Sequence, residues 1–460
     1  MRRSKASVSG PISPLDGRYQ SQVGVLPEIF SEQALMRRRC EVELRWLLAL
    51  DELGVLPRLS GGEWEAVRRG LQSFGPRDFL GIKAHEARVR HDVKACELYL
   101  EGKLGLGKGG RVHFGLTSED VNNLAYSLCL EEHRQRALLP KLSELCRALC
   151  ERVRRWRDLP FPASTHGQPA SPTTAGKELA VFVARLLRQY RQAVSHRFLG
   201  KLNGATGNWS ALHAAFPEVD WIGVSRRFVE SMGFVHNVAT TQVEPHDSWG
   251  EYFDLCRRVN LIVLDLDVDV WLYVSREWLR QAAAAGEVGS STMPHKVNPI
   301  RFENSEGNLS VANALLVMLS ERLSRSRMQR DLSDSTVERN IGVALGHSWL
   351  GWSEAVAGLS GVELDPERCV EEISSHPELV AEPVQTLLRA HGVGEGYEKL
   401  RELTRGKRVT RRQMEVFLEG LEVPKELAAR LRGVDVVRYV GLAPVVCDAV
   451  LAEAEEVLGR

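Results

Sequence analysis

The sequence has no apolar run long enough to cross a bilayer. Its most apolar stretch, residues 261–274, is broken by Asp265, Asp267 and Asp269, whereas a spanning helix needs about 20 apolar residues in succession. The basic start, Met1-Arg-Arg-Ser-Lys5, is not followed by the apolar segment of a secretory signal. These absences predict a cytoplasmic protein. No CxxC pair occurs among Cys40, Cys96, Cys129, Cys146, Cys150, Cys256, Cys369 and Cys447. Scattered single cysteines in a long chain read as small buried hydrophobes rather than as disulfides or zinc ligands. Neither sign of charge is in excess: Lys plus Arg is 60 and Asp plus Glu is 60. The whole chain therefore offers no electrostatic reason to bind nucleic acid or an anionic membrane. An anionic small molecule, which needs only a few local cations, stays open, and near-zero net charge favours self-association. There is no internal repeat and no low-complexity tract.

What is present is helical pattern. Apolar content of 43% over 460 residues is enough for a large core. Three parts are expected: 1–111, with short helical patterns such as 32–53; 112–365, a series of long helices; and 366–460, helical again and rich in Arg, Lys and Glu. The Gly-rich stretch 102–110 has GxGxxG-like spacing, but no strand precedes it, so it reads as a connection rather than a phosphate loop. In the middle part the pattern predicts helices over 119–157, 173–192, 249–285 and 299–325. Thr117 or Ser118 would cap the first, and Pro140 would kink or break it. The run Leu264-Asp-Leu-Asp-Val-Asp-Val270 alternates like a strand but is flanked by helical pattern without Gly or Pro, so it reads as helix. On a helix its three aspartates diverge and cannot converge on a metal. The expected class is all-α, with a central bundle of long helices.

Two segments carry chemistry. Gly286-Glu-Val-Gly-Ser-Ser-Thr-Met-Pro-His-Lys-Val-Asn-Pro299 predicts a mobile polar loop that feeds a helix, with Asn298 as cap and Pro299 as first residue. The helix N-terminus favours an anion, and Lys296, Asn298 and loop amides can stabilise charge developing on a carboxylate while a base takes a proton from the adjacent carbon. A serine needs activation to serve as that base, which a closing, water-excluding loop can supply. A polar inter-helix loop is the alternative. The second segment is Ser164-Thr-His-Gly-Gln-Pro169, where His166 sits among small polar residues just before a helix, a natural place for a general acid or base. Glu303, just after Pro299, is a plausible partner for its ring.

The loop 289–299 resembles the signature of the fumarase/aspartase superfamily, whose members release fumarate from a succinyl group. Its form Met293-Pro-His-Lys-Val-Asn-Pro299 is similar to the bacterial adenylosuccinate lyase family. The resemblance runs along nearly the whole chain: Pro14-Leu-Asp-Gly-Arg-Tyr19, His91-Asp-Val-Lys94, Thr117-Ser-Glu-Asp-Val-Asn-Asn123, Thr165-His-Gly-Gln-Pro-Ala170, Thr241-Gln-Val-Glu-Pro-His-Asp247, Phe302-Glu-Asn-Ser-Glu-Gly-Asn308, Gln329-Arg-Asp-Leu-Ser-Asp-Ser-Thr-Val-Glu-Arg339 and Tyr397-Glu-Lys-Leu-Arg-Glu-Leu-Thr-Arg-Gly-Lys407.

The resemblance implies a homotetramer whose core is the central bundle, with sites shared between subunits and no metal or organic cofactor. It implies β-elimination of fumarate from adenylosuccinate, giving AMP, and from succinylaminoimidazole carboxamide ribotide in purine synthesis. By motif, Ser290 matches the base, His166 the acid, and Glu303 the carboxylate that pairs with it. Ser291, Lys296, Val297 and Asn298 match loop contacts to substrate, Lys296 and Asn298 facing a succinyl carboxylate. Thr117 and Ser118 match further carboxylate contacts. Arg18, Tyr19, Arg330, Ser335 and Arg339 match nucleotide-side contacts, the last three fitting a phosphate. His91 and Asp92 match a pair that orients substrate, and Gln242 and Asn304 match amide contacts. Taken singly, Arg18, Arg330 and Arg339 are equally ordinary surface cations, Asp92 a helix cap and Asn304 a mid-helix contact. The full pattern favours function. By position Arg90 joins His91 and Asp92 among the implied substrate contacts, but two positions depart from the bacterial pattern: Arg90, where Asn is usual, and Arg301, where an acid is usual. Two competing readings are a sister lyase acting on argininosuccinate or aspartate, and a non-catalytic structural relative. His295 argues against the first, and retention of Ser290, His166 and Lys296 against the second.

Overall fold

A computed structural model describes residues 10–106, 110–282, 293, 296–393, 395–405 and 409–459. The chain is mostly helical, with three two-stranded sheets as its only extended pairings among the described residues, so the all-α class holds. It divides into two compact units that the chain visits alternately: 1–141, 190–261 and 307–352 form one, and 142–189, 262–306 and 353–460 the other. No helix of the described residues is long and apolar enough to cross a membrane.

In the first unit the helix Glu32–Leu53 matches the expected span. Ser31 caps it by accepting from the Ala34 N–H at 3.2 Å. Met36, Cys40, Leu44 and Leu47 recur on one face and are buried against Val67, Ile82, Ala95 and Leu100. The pattern over 119–157 becomes two helices, Ser118–His133 and Leu139–Arg155, joined by a π-helical segment, Arg134–Leu138. Pro140 is the second residue of the helix that follows. It cannot donate an N–H, so the hydrogen-bond register widens just before it.

The aspartate-rich run lies inside the 29-residue helix Asp247–Ser275. Its carboxylates do diverge: Asp265 pairs with Arg185, Asp267 is buried, and Asp269 accepts from the Tyr273 hydroxyl at 3.4 Å. The helix ends ten residues earlier than its pattern suggests. Residues Leu279–Gln281 instead form a strand antiparallel to Val362–Leu364, and Trp278 packs edge-on against Phe161 at 5.5 Å between ring centroids. The expected helices over 173–192 and 299–325 are found as Ala175–Ser195 and Ile300–Leu323. Among the described residues, 366–405 and 409–459 carry six α-helices, from Pro366–Ser374 to Ala443–Leu458, and one 3-10 turn, Pro377–Val380; the middle helices pack around Val384, Leu388, Leu400 and Leu427. All eight cysteines are free and buried, as expected.

Candidate active site

Residues 160–172 are expected to lead into a helix that starts at 173. Residues 160–174 instead form a β-hairpin, β1 (Pro160–Thr165) and β2 (Gln168–Thr174), with Thr165 opposite Gln168. The two-residue loop is His166-Gly167, at φ 53° and 72°. Positive φ at both positions is the type I′ pattern that matches strand twist, and it explains the glycine after the histidine. His166 stands exposed at the tip, and its side chain makes no hydrogen bond or ion pair with a described residue.

Glu303 lies in the same unit, in the first turn of Ile300–Leu323. The Phe302 and Glu303 N–H groups both donate to the Pro299 carbonyl, at 3.1 and 3.2 Å, so Pro299 rather than Asn298 stands at the cap. Glu303 accepts from the Trp271 indole at 3.1 Å. Within one chain it does not meet His166. Lys296 and Val297 are exposed and Asn298 half-buried just ahead of this helix, while Asn304 lies within it. Arg301, one of the two departures, is paired with Glu354 at 3.0 Å. Ser290 and Ser291, with His295, lie outside the described residues, as do residues 107–109 of the Gly-rich connection.

The other expected site residues belong to the first unit, where most of them share one network. Thr117 precedes Ser118–His133 and its N–H donates to Asp120 at 2.8 Å. His91 caps Asp92–Leu104: its Nδ1 accepts from the Lys94 N–H at 3.2 Å. The ring proton therefore belongs on Nε2, which lies 3.5 Å from the Ser118 hydroxyl. Arg90, the other departure, ends the preceding helix in the left-handed region. Asp92 takes ion pairs from Arg39 at 2.8 Å and Arg339 at 3.4 Å. Burial pushes the Asp92 carboxyl up, but Arg39, the Val93 N–H and Arg339 together outweigh it and hold it below its usual value.

Arg330 pairs with Glu119 at 2.9 Å and donates to Gln242 at 3.1 Å. Gln242 is fixed in turn: its amide donates to the Ala205 carbonyl at 3.1 Å and its backbone N–H to the Gln329 carbonyl at 3.2 Å. Ser335 donates to Asp334, and the Arg339 guanidinium to the Ser335 carbonyl at 2.7 Å. Arg18 and Tyr19 lie in a run of turns, with Tyr19 packed beside the Leu15, Val23 and Leu350 cluster. A cavity of about 360 Å³ bordered by Ser13, Leu15, Asp16 and Arg339 opens next to this run.

Sequence reasoning missed Arg39, Glu119, Asn122 and Trp271. Glu119 and Asn122 lay inside a quoted motif, but neither was singled out. Arg39 carried a usable signal: it is a charged residue in a helix whose neighbouring positions Met36 and Cys40 are core positions. Glu119, His246 and Glu338 each bring one ligand atom within 4.8 Å of the others, all buried. This donor set suits a divalent cation. Burial, together with the facing Glu119 and Asp334 carboxylates, pushes the Glu338 carboxyl well up. Of the two carboxylates, Glu119 is balanced by its ion pair with Arg330 at 2.9 Å.

Comparison with known proteins decides the family. A lyase family model matches residues 17–313, and an adenylosuccinate lyase C-terminal model matches residues 326–440. The chain is 44% identical over 448 residues to the adenylosuccinate lyase of Escherichia coli K12, covering 95% of this chain and 98% of that one. It is 44% identical over 440 residues to the adenylosuccinate lyase of Haemophilus influenzae, covering 94% and 96%. The chain belongs to the adenylosuccinate lyase family. The fold agrees at greater distance. A fumarate lyase from Mesorhizobium sp. BNC1 superposes with TM-score 0.73 at 20% identity, covering 95% of this chain and 97% of its own. A 3-carboxy-cis,cis-muconate lactonizing enzyme from Pseudomonas putida gives 0.77 at 20%, covering 94% and 97%. As a member of the family the chain is a lyase of the fumarase/aspartase superfamily.

Proposed function

We propose that this lyase eliminates fumarate from adenylosuccinate, leaving AMP, and does the same to succinylaminoimidazole carboxamide ribotide. The observation that carries the reading is the first-unit network. It gathers two guanidiniums, Arg330 and Arg339, with Ser335, Gln242, His91, Asp92, Thr117 and Ser118, as a phosphate-bearing substrate requires. Contacts confined to the shared ribose phosphate and succinyl groups let one site take both substrates.

Ser290 removes the β-proton of the succinyl group. The charge that develops is spread over the neighbouring carboxylate, where Lys296, Asn298 and the helix N-terminus at Ile300 stabilise it. The C–N bond then breaks, and His166 delivers a proton to the departing nitrogen. The bonding electrons of the lost C–H form the fumarate double bond, and those of the C–N bond stay on nitrogen. Every proton is accounted for by side chains, so the reaction needs no metal and no organic cofactor.

The working form is a homotetramer with sites shared between subunits. Supporting this, His166 and Glu303 do not meet within one chain, and Leu261, Val268 and Leu272 leave an apolar stripe exposed along Asp247–Ser275. Ile300 and Val311 are likewise exposed on one face of Ile300–Leu323. We place the enzyme in the cytoplasm.

The test is an absorbance assay with purified protein. Adenylosuccinate should be consumed with stoichiometric release of fumarate, and Ser290→Ala should abolish turnover while still binding substrate. Turnover of argininosuccinate with none of adenylosuccinate would sink the assignment, and a fully active Ser290→Ala would remove Ser290 as base. Light scattering should give four copies; an active monomer would refute the shared site.

A further inference from the structure

We propose that Arg39 is a positioning residue for the nucleotide half of the site: it ties the anchors of Arg330 and Arg339 together without touching substrate. The inference rests on the reading of those two arginines as phosphate contacts. Arg39 lies on the helix Glu32–Leu53 and is only 3% exposed. Its Nη1 meets Asp92 at 2.8 Å, and its Nε donates to the Asn122 side-chain oxygen at 2.9 Å. Asn122 in turn donates to Glu119 at 2.8 Å. Glu119 holds Arg330, and Asp92 holds Arg339. The result is one unbroken chain of bonds: Arg330, Glu119, Asn122, Arg39, Asp92, Arg339.

Each link restricts the next. Asn122 must present its oxygen to Arg39 and its nitrogen to Glu119, so its orientation is fixed from both sides. Asp92 is shared between a buried guanidinium and an exposed one, and Arg339 is 59% exposed at its side chain. An exposed arginine loses rotamer freedom on binding a phosphate. One already held by a carboxylate that is itself immobilised has lost part of that freedom beforehand. Arg39 does this for both arginines through two different nitrogens of one rigid plane. A lysine has the charge and the reach but a single nitrogen, so it cannot reproduce the fork.

Arg39→Lys is the decisive variant, read by steady-state kinetics, thermal melting and amide hydrogen exchange of the free protein. We expect KM for adenylosuccinate to rise about tenfold, kcat to stay within about threefold, and the melting midpoint to stay within a few degrees. Exchange should quicken over residues 330–340. Asn122→Ala severs only the arm to Glu119, so it should quicken exchange near Arg330 and leave Asp92 unchanged. An unchanged KM, or a lower melting midpoint with unchanged KM and exchange, would show that Arg39 is only a core cation. If the wild type fails to consume adenylosuccinate, the substrate reading falls. Exchange in the free variants still decides whether Arg39 orders the two arginines.

Discussion

Asp120 and Lys201 form a 2.8 Å ion pair whose side chains are both fully buried. The Asp120 carboxylate also accepts from the N–H groups of Thr117 at 2.8 Å, Asn203 at 2.9 Å and Gly204 at 3.2 Å. Lys201 has one further acceptor, the Gly204 carbonyl at 3.2 Å. Asp120→Asn keeps the shape and removes the charge. Whichever way the new amide turns, its NH₂ faces a donor, and the ammonium loses its counter-ion. Breaking a buried pair from one side costs about 3–5 kcal/mol, and we expect Asp120→Asn to lie in that range. Lys201→Met should cost a similar amount, because it leaves the carboxylate buried without its cation. Combining the two removes the unpaired charge from both sides, so the double variant should be less destabilised than the sum of the singles by more than about 1.5 kcal/mol. Denaturant unfolding of the four proteins, followed by tryptophan fluorescence, measures this. Additivity to within about 0.5 kcal/mol would refute the argument. Because Asp120 also fixes the Thr117 backbone, KM should rise in Asp120→Asn.

Two further outcomes follow from other parts of the fold. Burial pushes His133 down to about 3 from its ordinary 6.5, and its Nδ1 meets the Tyr252 hydroxyl at 2.6 Å. The folded chain therefore refuses a proton that the unfolded chain accepts. The stability contributed is complete above about pH 6.5 and declines as pH falls toward 3, by up to about 1.4 kcal/mol per pH unit. His133→Gln should flatten the acid side of the stability profile, and an unchanged slope in denaturant titrations at pH 6 and 4.5 would contradict the account. At Gly167 (φ +72°) an added Cβ meets nothing within 4 Å, whereas at Gly207 (φ +77°) it would lie 2.1 Å from the Thr240 carbonyl oxygen. Thermal melts should show a loss of about 1 kcal/mol for Gly167→Ala, from torsion alone, and a clearly larger one for Gly207→Ala; equal losses would refute the distinction.

Local rules carried much of the fold into view. The span Glu32–Leu53, the disruption at Pro140 and the helical state of 264–270 follow from periodicity and from where proline or glycine does and does not occur. The misreadings came from partners distant in sequence. Residues after Ser275 leave the helix because Leu279–Gln281 pairs with Val362–Leu364, which no local pattern announces. The hairpin at His166 escaped notice although His-Gly is a workable two-residue turn, because prolines at 160, 162, 169 and 172 mask the alternation. In the site, residue identities were legible through motifs, but their connections were not. Arg39 belongs to no motif and acts on residues from several separate segments. Glu303 was expected beside His166, yet within one chain its bond goes to Trp271.

The burial of every native cysteine makes the chain a convenient host for chemical labelling. Burial pushes Cys129, Cys256 and Cys369 up to about 12, and alkylating reagents attack the thiolate at an accessible sulfur. A single cysteine introduced on an exposed position, such as Val297→Cys beside the loop, would react first on a wild-type background. Fluorophores and spin probes could then report on that loop without any native thiol being removed.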